Sequence, residues 1–398
     1  MHISTPRGIR FDCSGCGNCC LQWPVPVTAA DYERIRGLSY GEAEFRKLNS
    51  TRENLYQFTH TLEKRADGRC KFLTAENRCQ LHTDHGQESK PSMCSLFPYT
   101  FMVTPDAVLA SLSFASSAVL YNTGKLLSEQ DEVLANQYKR FQQSFNTQTE
   151  RWQNLQLIDG IGLSWKDFAE LDRALMDIVY EQCDSETTLP RKLRSKLQKM
   201  SKMVTSLLPS PGAAERDPKL ESRPKIVDQL LLKYLDLLYF PKDVFADSSY
   251  DLKTRELMMA LVAAPEAVLL GDDNGGKFSD LIKLKLGKLP EEIEELVDRF
   301  LYVKVFSKFY FGPGFHHLSL LAGIHHLQYV ELLFRLKLKQ AIVNNRIAVP
   351  LKFEDSVELL RILERRITQL DLSKESISVL EILCSSPERA ARVQFLAE

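Results

Sequence analysis

Four cysteines, Cys13, Cys16, Cys19 and Cys20, fall within eight positions of the stretch FDCSGCGNCCLQW, and three more, Cys70, Cys79 and Cys94, follow before residue 95. Only Cys183 and Cys384 lie in the rest of the 398-residue chain. Such crowding constrains the fold strongly, because deprotonated sulfurs repel one another unless a cation compensates them. Structural thiols behave as scattered small hydrophobes instead. A disulfide framework fits poorly, since seven is odd and adjacent cysteines are badly placed to bridge each other. Metal binding is the expected chemistry of this segment.

Cys13, Cys16 and Cys19 form C-x2-C-x2-C, the spacing at which a short loop supplies three corners of a [4Fe-4S] cluster. Gly15 and Gly17 let the backbone curl around it. The usual fourth member of that run is missing, so the last ligand is Cys20 or one of Cys70, Cys79 and Cys94. The spacing favours an iron–sulfur cluster. Zinc is the alternative, because Cys79-x2-His82 with nearby His85 offers a mixed thiolate and imidazole set. Seven cysteines with histidines could hold two metals. On spacing alone Cys19 completes the run and Cys20 points elsewhere, so Cys20→Ser is expected to lose less metal than Cys16→Ser.

The order FDCSGCGNCC, VTAADYERI, CKFL, Cys79 and KPSMCSLFPYTF resembles the YkgJ-like cysteine-cluster proteins, a zinc- or iron-chelating family. The resemblance spans roughly residues 11 to 101 and implies that all seven N-terminal cysteines belong to one metal-binding domain. The later stretch FLYVKVFSKFYFGPGFHHLSLLAGIHHLQYVELL looks similar to the flagellin lysine-N-methylase branch. That likeness implies an S-adenosylmethionine-dependent protein-lysine methyltransferase acting on a flagellin-like protein substrate. A non-enzymatic zinc module whose helices dock a protein partner is the alternative.

The remainder reads as helical. Thr28 followed by Asp31 marks a helix start before Tyr32, Ile35 and Leu38. Residues 68–101 are rich in turn formers and read as loops returning to the first cysteine knot. From VLASLSFASSAVLYNTG onward the pattern turns helical, with Leu126, Leu127, Val133, Leu134, Tyr138 and Phe141 at three- and four-residue steps, and WKDFAELDRALMDIVYEQC repeats it. LQLIDGIGLSW reads as a turn between helices rather than a cofactor-binding glycine loop. PRKLRSKLQKMSKMV is a basic amphipathic helix whose Leu193, Leu197, Met200 and Val204 form a core-facing stripe. An anionic partner is the other reading of its charge.

Residues 207–224 have linker composition, and beyond them lie five apolar-periodic segments, among them DQLLLKYLDLLYF and RELMMALVAAPEAVLL at 255–270. His316, His317, His325 and His326 do not share one helix face and read as core or surface residues. The expected fold class is mainly α, with an irregular cysteine-rich metal-binding domain over 1–110, a helical domain over 111–206, a linker over 207–224 and a C-terminal helical domain over 225–398. The net charge of −1 gives no global attraction to nucleic acid. No apolar run approaches the roughly 20 residues needed to span a bilayer, and the N-terminus lacks a secretory h-region. The expected location is the cytoplasm.

Overall fold

The computed structural model describes residues 3–21, 25–38, 45–47, 58–145, 149–208, 225–240, 281, 283–344, 346–369 and 372–394. The chain is mainly α-helical and divides into two compact units, Met1–Thr149 and Glu150–Glu398. The stretch expected to be a linker lies outside the described residues from 209 onward, as does the segment 255–270. Among the described residues no helix is long and apolar enough to cross a membrane.

The first unit is built on two small sheets. In one, β1 (Ile3–Ser4) runs parallel to β6 (Val108–Leu112), which pairs antiparallel with β5 (Tyr99–Val103) in the register Tyr99↔Leu112 to Val103↔Val108. In the other, β4 (Phe58–Leu62) is central, flanked by β2 (Pro26–Thr28) and β3 (Phe45–Lys47). Thus Val108–Leu112, where the sequence pattern turned helical, is a strand. Its Val108, Ala110, Ser111 and Leu112 are all buried, and a short apolar run buried on both faces carries no period that separates strand from helix.

The unit extends to Thr149 because helix Asp131–Ser144 belongs to it. Tyr138 and Phe141 of that helix each lie 5.4 Å, ring to ring, from Phe101 on β5. Helix Ala29–Arg36 starts as its sequence suggests: the Thr28 hydroxyl accepts from Asp31 N at 3.1 Å. The region read as loops also contains two short helices, Gln80–His85 and Ser92–Leu96.

In the second unit LQLIDGIGLSW is a β-hairpin of Leu155–Ile158 and Ile161–Leu163, not a turn between helices. Asp159–Gly160 is a favoured two-residue hairpin loop, with Gly160 at φ 78°. Leu155 and Leu157 are buried and Gln156 between them is exposed, the alternation of a half-buried strand.

Helix Leu193–Ser206 buries the expected stripe of Leu193, Leu197, Met200 and Val204. It packs against Leu320–Val343, a helix buried on all sides along most of its length. This packing draws Leu193–Ser206 into one unit with the C-terminal helices. Several charges on the long helix are paired: Arg335 pairs with Glu331 and, at 2.9 Å, with Glu294, and Lys337 lies 2.7 Å from Asp236. Removing one partner of such a buried pair costs about 3–5 kcal/mol. His325 and His326 are core residues. His325 is held between the Ser201 hydroxyl and the Cys384 carbonyl, each at 2.6 Å, and His326 stacks on Phe315 at 4.6 Å.

Candidate metal centre

The loop that carries the first four cysteines is pinned at both ends. Before it, Phe11 N donates to Lys125 O at 2.9 Å and Asp12 N to Thr123 O at 3.0 Å. This approach needs Gly124, because a Cβ there would stand 2.4 Å from Asp12 N. Within the loop, Asn18 Nδ2 donates to Ser117 Oγ at 3.1 Å. Gly17 opens the short turn Asn18–Cys20 at φ 71°, and an added Cβ would meet the Asn77 side chain at 2.9 Å. Neither the backbone angle nor the space admits a larger residue.

Two successive turns bring later cysteines to the end of this loop. In KRADGRC, Gly68 N donates to Arg65 O and Arg65 N to Arg69 O, so that Lys64 bridges antiparallel to Cys70. In LTAENRC, Thr74 N donates to Arg78 O across Asn77 at φ 59°, and Leu73 bridges to Cys79. Cys70 N then donates to Cys20 O at 3.0 Å, with Leu21 bridged to Arg69 beside it. Cys94 arrives on helix Ser92–Leu96, whose first turn is capped by the buried Asp31: its carboxylate accepts from Ser92 N and Ser92 Oγ, both at 3.0 Å, and from Arg34 at 2.6 Å.

Cys20, Cys79 and Cys94 pack on the core cluster that contains Cys70, Val27, Ile35, Phe72 and Leu81. The Cys19 and Cys20 sulfurs are 4.0 Å apart, near the roughly 3.8 Å that Zn–S bonds of 2.3 Å impose on two thiolates sharing a tetrahedral ion. Cys13 and Cys16 are exposed, and Cys16 still senses the charge of Cys19. His82 and His85 are exposed on helix Gln80–His85, and the charge that acts on His82 is Lys90. The structure therefore gathers Cys19, Cys20, Cys70, Cys79 and Cys94 into one region. Among the described residues no three Cys, His, Asp or Glu side chains already converge as an ion-holding group, so binding would draw these sulfurs together.

The electrostatics of the region suit a cation. The Cys20 thiol is pushed up by its hydrogen bond with Cys19, by burial and by the neighbouring Cys94 and Cys70. Burial, then Cys70 and Cys79, push Cys94 well above the ordinary thiol value, and burial raises Cys70. Such sulfurs keep their protons until a metal ion replaces them. Lys64 opposes the trend at both Cys70 and Cys94, and its ammonium donates to Cys20 O at 3.3 Å. At Cys16 burial acts upward but is outweighed by hydrogen bonds from Asn18 backbone, Ser117 and Ser14, which leave the thiol below its usual value. The donor set fits zinc or iron.

Sequence reasoning missed Lys64, Ser117 and the redirected carboxylate of Asp31. Only Lys64 left a local trace: the Asp67–Gly68 pair marks a tight turn that sets Lys64 opposite Cys70.

Comparisons agree with the donor chemistry. An uncharacterized protein of Methanocaldococcus jannaschii is 22% identical over 194 residues, covering 45% of this chain and 65% of that protein. No solved structure matches. The family described as "CxxCxxCC: Putative zinc- or iron-chelating domain" matches residues 12–121, from the residue before Cys13 to the end of the helix that carries Ser117. Residues 12–121 are thus similar to that cysteine-cluster family, described as zinc- or iron-chelating.

Proposed function

We propose that the first unit binds its metal through Cys19, Cys20, Cys70, Cys79 and Cys94, and that the centre is a thiolate-held zinc ion or an iron–sulfur cluster. One observation carries the assignment: Cys70 N is bonded to Cys20 O, and Cys20, Cys79 and Cys94 pack around Cys70 on one cluster. Either centre accepts four thiolates, and these five sulfurs supply one more than that. On this reading Cys20→Ser loses more metal than Cys16→Ser, the reverse of what the C-x2-C-x2-C spacing favours.

Anaerobic purification followed by absorption spectroscopy and iron, zinc and acid-labile sulfide analysis separates the two centres. Because one of the five sulfurs is in excess, the Cys70→Ser/Cys79→Ser double variant, which keeps three, should lose the bound metal, and Cys183→Ser should keep it. A folded Cys70→Ser/Cys79→Ser protein with full metal content would sink the assignment.

The helical second unit is the candidate for recognising a protein. Methylation of flagellin-like lysines with S-adenosylmethionine rests on the resemblance alone. Its test is a methyl-sized mass increase on substrate lysines, and its absence together with no cofactor binding favours the docking module.

A further inference from the structure

In the second unit, residues 181–192 connect helix Trp165–Tyr180 to helix Leu193–Ser206 and border a cavity of about 270 Å³. Its lining includes Glu181, Gln182, Thr187, Thr188, Arg191 and, from the second helix, Lys196. The loop is held at both ends. Cys183 N donates to Tyr180 O at 2.9 Å, and the buried Asp298 accepts from Lys192 N and Leu193 N at 2.8 and 2.7 Å. Gln182 and Lys192 take left-handed backbone angles, φ 68° and 59°. That conformation costs a non-glycine residue free energy, and it collects at ligand clamps.

Lys196 is 6% exposed, whereas the other five residues are half-buried or exposed. Its ammonium donates to Val179 O at 2.6 Å and Glu181 O at 2.8 Å, carbonyls at the end of the preceding helix. An ammonium has three donors, so one N–H is left over. Among the described residues both of its bonded partners are neutral. The other charges of the lining are already matched, Glu181 by Lys199 and Arg191 by Glu295. Burial lowers the Lys196 ammonium below its ordinary value, while Cys183, Glu181 and Asp298 act the other way. A buried cation without a bonded anion is costly. The helix end offsets part of that cost, because it carries about half an elementary charge against a whole one.

The loop supplies further donors. The Ser185 hydroxyl lies 2.9 Å from those of both Thr187 and Thr188. These contacts use two of the three hydroxyl protons and leave one to donate elsewhere. An ammonium acting as a point charge beside neutral donors suits a phosphate group, which offers three acceptor oxygens. A carboxylate is better matched by an arginine fork, and Arg191 is engaged by Glu295.

We propose that this cavity binds a phosphate group, free or carried by a small phosphomonoester, with Lys196 as the buried counter-charge and Gln182, Thr187 and Thr188 as neutral donors. The site lies wholly within the second unit and does not depend on the metal centre.

The test titrates full-length protein in chloride buffer with inorganic phosphate and, separately, with glycerol 3-phosphate, and reads binding by calorimetry. One saturable site per chain is expected. Tighter binding of the ester identifies a phosphomonoester ligand, and tighter binding of the inorganic ion identifies free phosphate. Lys196→Met keeps the buried stem and removes the charge, and it should weaken binding at least about tenfold. Lys202→Met, on the exposed face of the same helix, should leave the affinity unchanged. Circular dichroism checks each fold. Because Lys196 also caps a helix, the Thr187→Val/Thr188→Val double variant serves as a second probe, with an expected loss of about fivefold. No saturable binding of either compound overturns the proposal, as does equal affinity in a folded Lys196→Met protein. Where that variant does not fold, equal affinity in the threonine variant overturns it. An equal loss in Lys202→Met overturns it too, by reducing the binding to general charge attraction.

Discussion

Lys64 shows how one residue serves the centre without ligating anything. It lies opposite Cys70 across a tight turn and donates to the carbonyl of Cys20, so its ammonium faces two candidate ligands from different parts of the chain. A cation beside a thiolate-rich centre offsets part of its excess negative charge. Lys64→Met is expected to weaken metal binding by about tenfold, the lower end of what outer-shell partners contribute, and Lys64→Arg to restore most of it. Competition against a chelator of known affinity measures this, and equal affinities for all three proteins would remove Lys64 from the site. Asn77 and Gly17 act on the same scale through shape: the left-handed glycine sits over the asparagine side chain with no room for a Cβ.

At the level of elements, the short helix that bears Cys94 depends on a cap from another helix. The sequence pattern of Thr28 and Asp31 reads as a reciprocal capping box, and half of it forms, with the Thr28 hydroxyl accepting from Asp31 N. The Asp31 carboxylate instead turns to Ser92, 61 residues on. Asp31→Ala strips the half-buried Ser92 N–H of its acceptor, and a loss of roughly 1–2 kcal/mol is expected. The urea midpoint measures it, with Asp31→Asn intermediate. No change in midpoint would mean that water replaces the carboxylate. The hairpin at Leu155–Leu163 teaches a related lesson: its Asp-Gly turn is a local signal, whereas a pair of glycines alone says nothing about strand pairing.

Across the whole second unit, buried titratable groups make stability depend on pH in both directions. Burial lowers His325 to about 4 and His326 to about 3, against about 6.5 in an unfolded chain. As pH falls below 6.5 the unfolded chain takes up protons that these folded histidines refuse. Their contribution, complete above 6.5, is lost as pH falls toward the folded values. Two buried carboxylates act oppositely: burial lifts Asp236 to about 7 and Asp298 to about 6. They gain protons in the folded state as pH falls from about 7, which favours the fold, and that contribution disappears as pH rises through those values.

The contributions of these four groups between pH 7 and 4 consequently oppose one another. His326→Phe should gain stability relative to the unaltered chain on acidification, whatever the offset at pH 7. Urea midpoints at both pH values test this, and a parallel shift of the two proteins would show that His326 does not stay neutral in the fold.

The helical character, the start of helix Ala29–Arg36 and the buried stripe of Leu193, Leu197, Met200 and Val204 were legible in the sequence, because each depends on residues within one or two turns. The metal chemistry was legible too, since only a cation makes so many neighbouring thiolates tolerable. What the tertiary structure alone decided is which cysteines are brought into one region. Spacing groups Cys13, Cys16 and Cys19, whereas folding sets Cys20 against Cys70 through a backbone bond across 50 residues and brings Cys94 in on a helix capped by Asp31. Such pairings depend on turns, caps and a shared apolar cluster that join distant segments, and distance along the chain carries no record of them.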